Sequence, residues 1–233
     1  MVAAVLVTGL VRFTPPLAYQ HHETKVGSQS QITLGDGTQL TLDSDTSLRV
    51  RYSPWRRHIL LDRGQAQFRT GHESHRPFIV SVDGGQVRAL GTLFQVRATT
   101  PVTTVTLLSG ALRVDPPPEL ARRHGAAMVR PGEQLQFNRT RNEWAQGEAD
   151  IEAATGWLDG YIVARDWRLD AFVAEMNRHV VSPKLRVGDA SVASMTINGG
   201  FRPEDVEATL QVLERSHPLR FERSGDEVVV RHR

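Results

Sequence analysis

The chain has 233 residues, of which 39% are hydrophobic and 23% charged, proportions that are ordinary for a soluble globular protein with a buried core. The 28 Lys and Arg residues nearly balance the 26 Asp and Glu residues, which argues against a nucleic-acid-binding surface because such a surface needs a basic cluster on one face. The chain contains no cysteine, which excludes disulfides, thiolate metal sites and a cysteine nucleophile.

The first residues form an apolar segment. Residues 2–11 are almost all apolar, and they are followed by Arg12 and by Pro15-Pro16. A helix needs about 20 apolar residues to cross a bilayer, and a signal peptide needs a basic region before its apolar run. We therefore predict that residues 1–19 are the outer part of a transmembrane helix that begins upstream of this chain. A buried N-terminal strand or a disordered leader is the alternative.

Residues 20–137 show the pattern of an all-β domain. Apolar and polar residues alternate in short segments about ten residues apart, and turn residues separate the segments. Asp36-Gly37 between two alternating segments is a strong hairpin signal. This pattern predicts a sandwich, a barrel or a short solenoid.

Residues 87–97 read as two short strands folded about Gly91-Thr92. Gly91 suits a tight bend because glycine accepts positive φ without steric cost. The alternation predicts that Leu90 and Phe94 are buried and act through stability. The segment contains no nucleophile or metal cluster, so we interpret it as a structural framework.

The pattern changes after a polar, weakly patterned stretch at residues 138–155, which we interpret as a linker. Apolar residues from Leu169 to Met176 then recur at helical spacing, with Asp166 as the expected N-cap. A second helix is expected to begin at Pro203. Short strands flank both helices, and a last strand ends the chain. Residues 156–233 are therefore predicted to be a small α+β domain of two β-α-β units and a final hairpin strand.

Candidate sites for chemistry are weak throughout. His72-Glu73-Ser74-His75 lies in a polar loop with no further ligand cluster, and Asp43-Ser44-Asp45 lacks the glycine and the final glutamate of a calcium loop. No G-x-S-x-G motif occurs. We predict no catalytic residue, no metal and no cofactor, and therefore no enzyme.

Six motifs occur in one order across about 110 residues, and together they resemble the signature of the FecR family. Residues 87–97 resemble its V-x-A-L-G-T-x-F-x-V core, in which Leu90, Gly91, Thr92 and Phe94 are the signature positions. The other five matches are at residues 40–50, 64–68, 76–80, 105–114 and 131–134. Residues 157–160 and 197–201 resemble the small domain shared by secretins and the N-termini of TonB-dependent receptors, which this family carries last.

The resemblance implies a periplasmic, inner-membrane-anchored regulator of an extracytoplasmic-function sigma factor. In that family the periplasmic region receives a signal from an outer-membrane TonB-dependent transducer, commonly one for a ferric siderophore. The sigma factor is bound by a cytoplasmic segment that precedes the membrane helix and is not among these residues. The resemblance therefore implies sensing and partner docking here. The alternative is an envelope adaptor or glycan-binding module without a signalling role.

The surface expected to bind the partner is the C-terminal sheet. If the strand at residues 228–230 is an edge, a partner can dock by adding a strand to it, and if it is central it belongs to the core. Nearby Arg residues would steer an acidic partner. The predicted partner-binding residues are Phe201, Arg220, Arg223, Val228, Val230 and Arg231.

Overall fold

The computed structural model describes residues 19–73 and 75–233, and most of this structure is β. The predicted membrane segment, Tyr19 excepted, lies outside the described residues. Within the described ranges, no helix is both long enough and apolar enough to span a bilayer.

The N-terminal part is one large, nearly closed sheet of thirteen strands, as the alternating pattern predicts. It also contains one helix, α1 (Pro118–His124). The strands are β1 (Gln20–Glu23), β2 (Ser30–Thr33), β3 (Gln39–Leu42), β4 (Ser47–Tyr52), β5 (Arg57–Arg69), β6 (Phe78–Val82), β7 (Gly85–Ala89), β8 (Leu93–Thr99), β9 (Val102–Ser109), β10 (Leu112–Asp115), β11 (Ala127–Val129), β12 (Glu133–Asn138) and β13 (Glu143–Glu148).

The long strand β5 belongs to both halves of this sheet. Its first part pairs with β4 and β6, and its second part pairs with β3 and β8. Gly64 lies between the two parts with φ +91°, and a Cβ there would lie 2.3 Å from the Thr46 hydroxyl oxygen. Only glycine fits this close approach. The strand can therefore change from one half to the other, and the two halves enclose a common core.

Three phenylalanines from both halves form the centre of that core. The Phe94 ring stacks on Phe68 with centroids 5.0 Å apart, and Phe78 meets both rings edge-on at 5.9 and 6.4 Å. All three side chains are fully buried. Offset and edge-on contacts of this kind add to the free energy gained by burial.

The segment at residues 87–97 is not a hairpin. β7 pairs with β6 and β10, whereas β8 pairs with β5 and β9, so the connection between β7 and β8 passes from one half of the sheet to the other. Gly91 has the expected positive φ, +65°, and the Thr92 amide donates to the Thr70 hydroxyl at 3.1 Å. Phe94 is buried as predicted. The prediction for Leu90 is wrong, because it follows the last residue of β7 and its side chain is 45% exposed.

A buried ion pair supports the Asp36-Gly37 turn. The Arg57 Nη1 donates to Asp36 Oδ2 at 2.9 Å, and the Arg57 guanidinium also lies over the Phe78 ring. Burial tends to raise the pKa of Asp36, but hydrogen bonds from Arg57, Thr38 and Tyr52 lower it overall. The turn that the sequence predicts is therefore tied to the centre of the sheet.

Two polar stretches carry more structure than the sequence pattern predicts. The stretch at residues 138–155 is not a simple linker, since it contains β13, paired along its length with β12, and a short helix, α2 (Ile151–Thr155). β13 is an almost fully exposed edge strand, so no apolar alternation reveals it. The polar stretch that begins at Pro116-Pro117-Pro118 contains α1, which buries Leu120.

The C-terminal part contains the elements predicted for an α+β fold, but the strands of each β-α-β unit lie in different sheets. β14 pairs with β16, and β18 lies between β15 and β17. A second hydrophobic core lies among these elements. The elements are a 3-10 helix (Gly156–Asp159), β14 (Ile162–Arg168), α3 (Leu169–His179), β15 (Lys184–Val187), α4 (Ala190–Ala193), β16 (Thr196–Phe201), α5 (Val206–Ser216), β17 (Leu219–Ser224) and β18 (Glu227–His232).

The helix starts differ from the predicted ones. Asp166 lies within β14 at φ +53° and does not cap α3, which follows Arg168 directly. α5 begins at Val206, and the Asp205 carboxylate caps it by accepting from the Ala208 amide at 3.0 Å. Asp166 does not act as a cap because it lies in a bulge in the pairing of β14 with β16, where tertiary pairing overrides the local signal. α5 starts at Val206 because Asp205, and not the residue before Pro203, supplies its cap.

Candidate functional site

Helix α3 connects the two parts of the chain because two of its faces are buried. Leu169, Phe172, Val173 and Met176 point into the C-terminal core. Glu175, Arg178 and His179, spaced by three and four residues, form an adjacent polar face. Arg178 and His179 contact the turn between β3 and β4, and Glu175 contacts Arg97 in β8. The helix therefore has an apolar and a polar face, and its polar face packs against the N-terminal part of the chain instead of facing solvent.

Five side chains form an ionic cluster at this junction, which we call the α3 contact: Asp43, Arg97, Glu175, Arg178 and His179. Arg178 Nη2 donates to Asp43 Oδ2 at 2.9 Å, and Arg97 donates to Glu175. His179 Nε2 lies 3.4 Å from Glu175 Oε1 and 3.7 Å from Asp43 Oδ2. Two cations thus face two carboxylates at a site that excludes most water.

The pKa values of the two carboxylates of the α3 contact shift in opposite directions. Burial raises the pKa of Asp43, and the nearby His179 and Arg178 compensate only in part. Burial would also raise the pKa of Glu175, but a hydrogen bond from His179 and the charges of Arg97 and Arg178 lower it to about 2. Asp43 Oδ1 and Arg178 Nη1 have no hydrogen-bond partner among the described residues. The cluster therefore holds charge that is incompletely satisfied.

Backbone groups strengthen the same junction. The Ser44 hydroxyl donates to the Arg178 carbonyl at 2.5 Å and accepts from the Gly27 amide at 2.8 Å. The turn between β3 and β4 thus meets the C-terminal end of α3 through both side chains and main chain. A carbonyl at a helix C-terminus has no partner within its own helix, so this hydrogen bond satisfies it.

A second contact is centred on Trp157, which precedes β14. Its indole Nε1 donates to Gln95 Oε1 at 3.1 Å, and its carbonyl accepts from Gln29 Nε2 at 2.5 Å. Gln65 Nε2 also donates to Gln95 Oε1, at 3.2 Å. A cavity of about 410 Å³ adjoins these residues, with polar side chains of the large sheet on one side and Trp157, Tyr161 and Trp167 on the other.

The lowered pKa of Glu175 predicts a pH dependence of stability. Because the folded-state pKa lies below the unfolded value of about 4.5, the charged carboxylate stabilises the folded chain above that pH. This contribution is lost as the pH falls toward about 2. We expect wild type to exceed Glu175→Gln in free energy of unfolding by up to about 3 kcal/mol near neutrality, with the difference shrinking toward pH 2.

Denaturant unfolding at a series of pH values measures that difference. Glu227→Gln, at an exposed pair with Arg186, is the matched control and should change stability little at any of these values. A wild-type advantage over Glu175→Gln that stays constant from neutral pH to pH 2 contradicts the assigned role.

The three-stranded sheet has two outer strands with different edges. The edge of β15 is covered, since the Asn177 side chain of α3 donates to the Leu185 carbonyl and accepts from the Leu185 amide, at 2.7 and 2.8 Å. β17 pairs with β18 on one side, and no strand among the described residues pairs with its other side. β17 is therefore the edge of this sheet that offers unpaired main-chain groups.

The structure divides the six predicted partner-binding residues into two groups. Val228 and Val230 lie in the central strand β18 and are buried, as is Phe201 in β16, so the core alternative applies to that strand. Arg220 and Arg223 are exposed on β17, and Arg231 bonds to Asp189 and Glu222. Side chains available to a partner are thus the arginines.

Sequence reasoning missed the α3 contact. Asp43 stands in an Asp-Ser-Asp stretch of ordinary turn composition, and its partner Arg178 lies 135 positions later. The one available signal was the placement of Glu175, Arg178 and His179 on a single helical face. In the His72–His75 loop, Glu73 bonds to Arg76, and the described residues contain no group of three or more potential metal ligands.

Comparison with known families identifies the N-terminal part. The sequence pattern of the family described as "FecR protein" matches residues 20–113. This match confirms the resemblance to the FecR family for residues 20–113. No curated protein matches the sequence.

Solved structures share the fold over nearly the whole chain. Two crystal structures of a candidate anti-sigma factor from Parabacteroides distasonis ATCC 8503, at 1.65 and 2.50 Å resolution, are similar with TM-scores of 0.81 and 0.80. Both are 22% identical to this chain, cover 92% and 93% of it, and are themselves covered to 99% and 100%. The fold of both parts of this chain is therefore found in another protein.

Proposed function

We propose that the chain is the periplasmic sensor region of a sigma-factor regulator and that it binds the signalling domain of an outer-membrane TonB-dependent transducer. The match of residues 20–113 to the FecR family and the shared fold with a candidate anti-sigma factor support the regulator role. The open edge of β17 is the observation that supports docking of a protein partner. In this proposal the transducer reports siderophore-bound iron, and the signal reaches an extracytoplasmic-function sigma factor through the membrane.

The partner docks by adding a strand to β17. The Arg233 amide donates to the Pro218 carbonyl at 2.9 Å, so residues 218 and 233 are a hydrogen-bonded pair. Hydrogen-bonded and non-bonded pairs alternate along antiparallel strands. Phe221 and Arg223, which face Val230 and Val228, therefore direct their amides and carbonyls away from β18 and toward the open edge. Main-chain bonds there supply affinity, and the arginines favour an acidic strand.

Helix α3 carries the signal from that sheet to the FecR region. Asn177 binds the outer edge of β15, and the neighbouring Glu175, Arg178 and His179 bind the large sheet. Asn177 lies within one helical turn of the helical residues of the α3 contact, so a shift of the three-stranded sheet is transmitted to that contact through α3. Because this contact holds incompletely satisfied buried charge, its stability is sensitive to small changes in geometry.

The membrane segment completes the proposal. Residues 2–11, the apolar run, anchor the chain in the inner membrane and place the described residues in the periplasm. A cytoplasmic segment on the other side of that anchor contacts the sigma factor. The residues described here do not contact the sigma factor themselves.

Binding calorimetry with the signalling domain of a transducer encoded beside this chain tests the docking mode. Arg223→Pro removes an outward amide while leaving the hydrogen-bonded pairs with β18 in place. We expect it to weaken binding at least about tenfold, the loss of one main-chain hydrogen bond plus the clash of the ring.

Arg223→Ala is the matched control, because it keeps the amide and removes only the side chain and its exposed pair with Glu207. It should bind within about threefold of wild type, as expected for a rim charge. If wild type binds no signalling domain encoded beside it, the function proposed here is wrong. If Arg223→Pro and Arg223→Ala bind the signalling domain with equal affinity, the partner uses another surface.

A second candidate function is binding of a glycan. The cavity beside Trp157 combines amide side chains of Gln65, Gln95 and Gln134 with exposed parts of aromatic rings, a combination suited to sugar hydroxyls and sugar faces. Retention of the chain on peptidoglycan, lost in Trp167→Ala, would favour this candidate. The signalling function predicts no retention.

A further inference from the structure

The turn between β4 and β5 presents a tryptophan to solvent. Trp55 is 81% exposed, the highest value among the large apolar side chains of the described residues. The turn is ordered by its own bonds, since the Ser53 hydroxyl accepts from the Arg56 amide at 3.1 Å and the Ser53 amide donates to the Arg56 carbonyl at 2.9 Å. The tryptophan is thus held outward on a well-defined turn.

A second exposed apolar side chain lies at the same end of the sheet. Arg57 at the start of β5 aligns with Phe78 in β6, and Phe78 aligns with Ala89 at the end of β7. Leu90 follows Ala89 and is 45% exposed. The pairing therefore places Leu90 and the Trp55 turn at one end of the strands. We call Arg51, Trp55, Arg56 and Leu90 the Trp55 end.

The Trp55 end is positively charged. Neither Arg51 nor Arg56 forms a salt bridge within residues 19–73 and 75–233, in contrast to Arg49, which pairs with Asp62. Burial and the charges of Arg56 and Arg51 lower the pKa of the neighbouring His58. Two cations without acidic partners thus surround an exposed tryptophan.

The described chain also begins at the Trp55 end. β1 runs antiparallel to β4, with Glu23 opposite Ser47 and Gln20 opposite Val50. The Tyr19 ring lies under the Arg51 guanidinium, 5.0 Å from it. The N-terminal end of β1 is therefore the end that lies nearer the Trp55 turn. Residues 12–18 separate Tyr19 from the apolar residues 2–11, and seven residues span at most about 25 Å.

We propose that the Trp55 end lies against the bilayer and binds anionic phospholipid headgroups. This inference rests on the proposed membrane attachment of residues 2–11, which brings Tyr19 within reach of the bilayer surface. Tryptophan prefers the membrane–water interface, and arginines near an anionic leaflet are attracted to it. The charge and chemistry of the Trp55 end match that surface.

This orientation has a consequence for signalling. The turn between β3 and β4, which carries Asp43 and Ser44, precedes β4, whereas Trp55 follows it. Six residues of strand separate the two ends by about 20 Å. With the Trp55 end on the membrane, the α3 contact lies at the end of β4 that points away from the bilayer, on the side from which an outer-membrane partner approaches.

Quenching of tryptophan fluorescence by brominated lipid tests the inference on the full chain. The chain is incorporated into vesicles of phosphatidylglycerol and phosphatidylcholine with dibrominated acyl chains, and flotation records attachment. The chain has four tryptophans, so the difference between wild type and Trp55→Phe isolates Trp55. We expect strong quenching of this Trp55 component, and at least a twofold reduction of it in vesicles of phosphatidylcholine alone.

Charge reversal gives the matched comparison. Arg51→Glu with Arg56→Glu should remove the Trp55 quenching while the chain still floats. Arg122→Glu with Arg123→Glu, on the exposed face of α1 beyond the other end of β10, should leave it unchanged. A chain that floats with an unquenched Trp55 overturns the inference but leaves attachment and transducer binding intact. A chain that does not float overturns both the inference and the attachment.

Discussion

Replacing Phe94 by alanine is expected to lower the free energy of unfolding by about 4 kcal/mol. The ring is fully buried, stacks on Phe68 and meets Phe78 edge-on, so its removal leaves a cavity between the two halves of the sheet. Such a cavity collapses only in part, which adds to the lost burial. Denaturant unfolding followed by circular dichroism measures the change.

Leu90→Ala is the control from the same signature motif. Leu90 is 45% exposed, and we expect its truncation to cost less than about 1 kcal/mol. Similar losses for the two variants would contradict the placement of Leu90 outside the core. The pair also distinguishes the two roles within the motif, because Phe94 supports the core and Leu90 belongs to the Trp55 end.

Replacing Arg178 by alanine should be nearly as costly, with an expected loss of about 3 kcal/mol. The variant leaves the Asp43 carboxylate at a fully buried position without its closest cation. Adding Asp43→Asn to Arg178→Ala should recover part of the loss, since the uncompensated charge is then removed. Chemical unfolding at neutral pH measures the free energy of unfolding of wild type, of Arg178→Ala and of the double variant.

Arg186→Ala is the comparison for an exposed pair. Arg186 bonds to Glu227 with both side chains more than half exposed, so its removal should cost at most about 0.5 kcal/mol. Equal losses for Arg178→Ala and Arg186→Ala would show that the α3 contact does not hold the two parts of the chain together.

Local patterns predicted the elements of this fold better than their partners. The Asp36-Gly37 hairpin, the positive φ of Gly91 and the apolar stripe of α3 follow from the chemistry of neighbouring residues. The placement of β7 and β8 in different halves of the sheet does not follow from neighbouring residues. Alternation shows which face of a strand is buried, but it does not show which strand pairs with it. β13 escaped prediction since an exposed edge strand has no apolar face.

The candidate site was harder to predict for a related reason. Asp43 and Ser44 have the composition of an ordinary turn, and only the distant Arg178 and His179 turn them into an interdomain contact. The sequence left residues 228–230 open between edge and core, since Val228 and Val230 fit both, and the structure places them in the core. The Asn177 amide, which covers β15 and so leaves β17 as the open edge, has no signature in the sequence.

Hydrogen exchange of the β17 amides measures the docking edge directly. With the transducer signalling domain added in excess, we expect exchange to slow at least about tenfold at Phe221 and Arg223, whose amides face the open edge. Glu222, whose amide already bonds to β18, should change much less. Binding without added protection at Phe221 and Arg223 would contradict the claim that the partner extends this sheet.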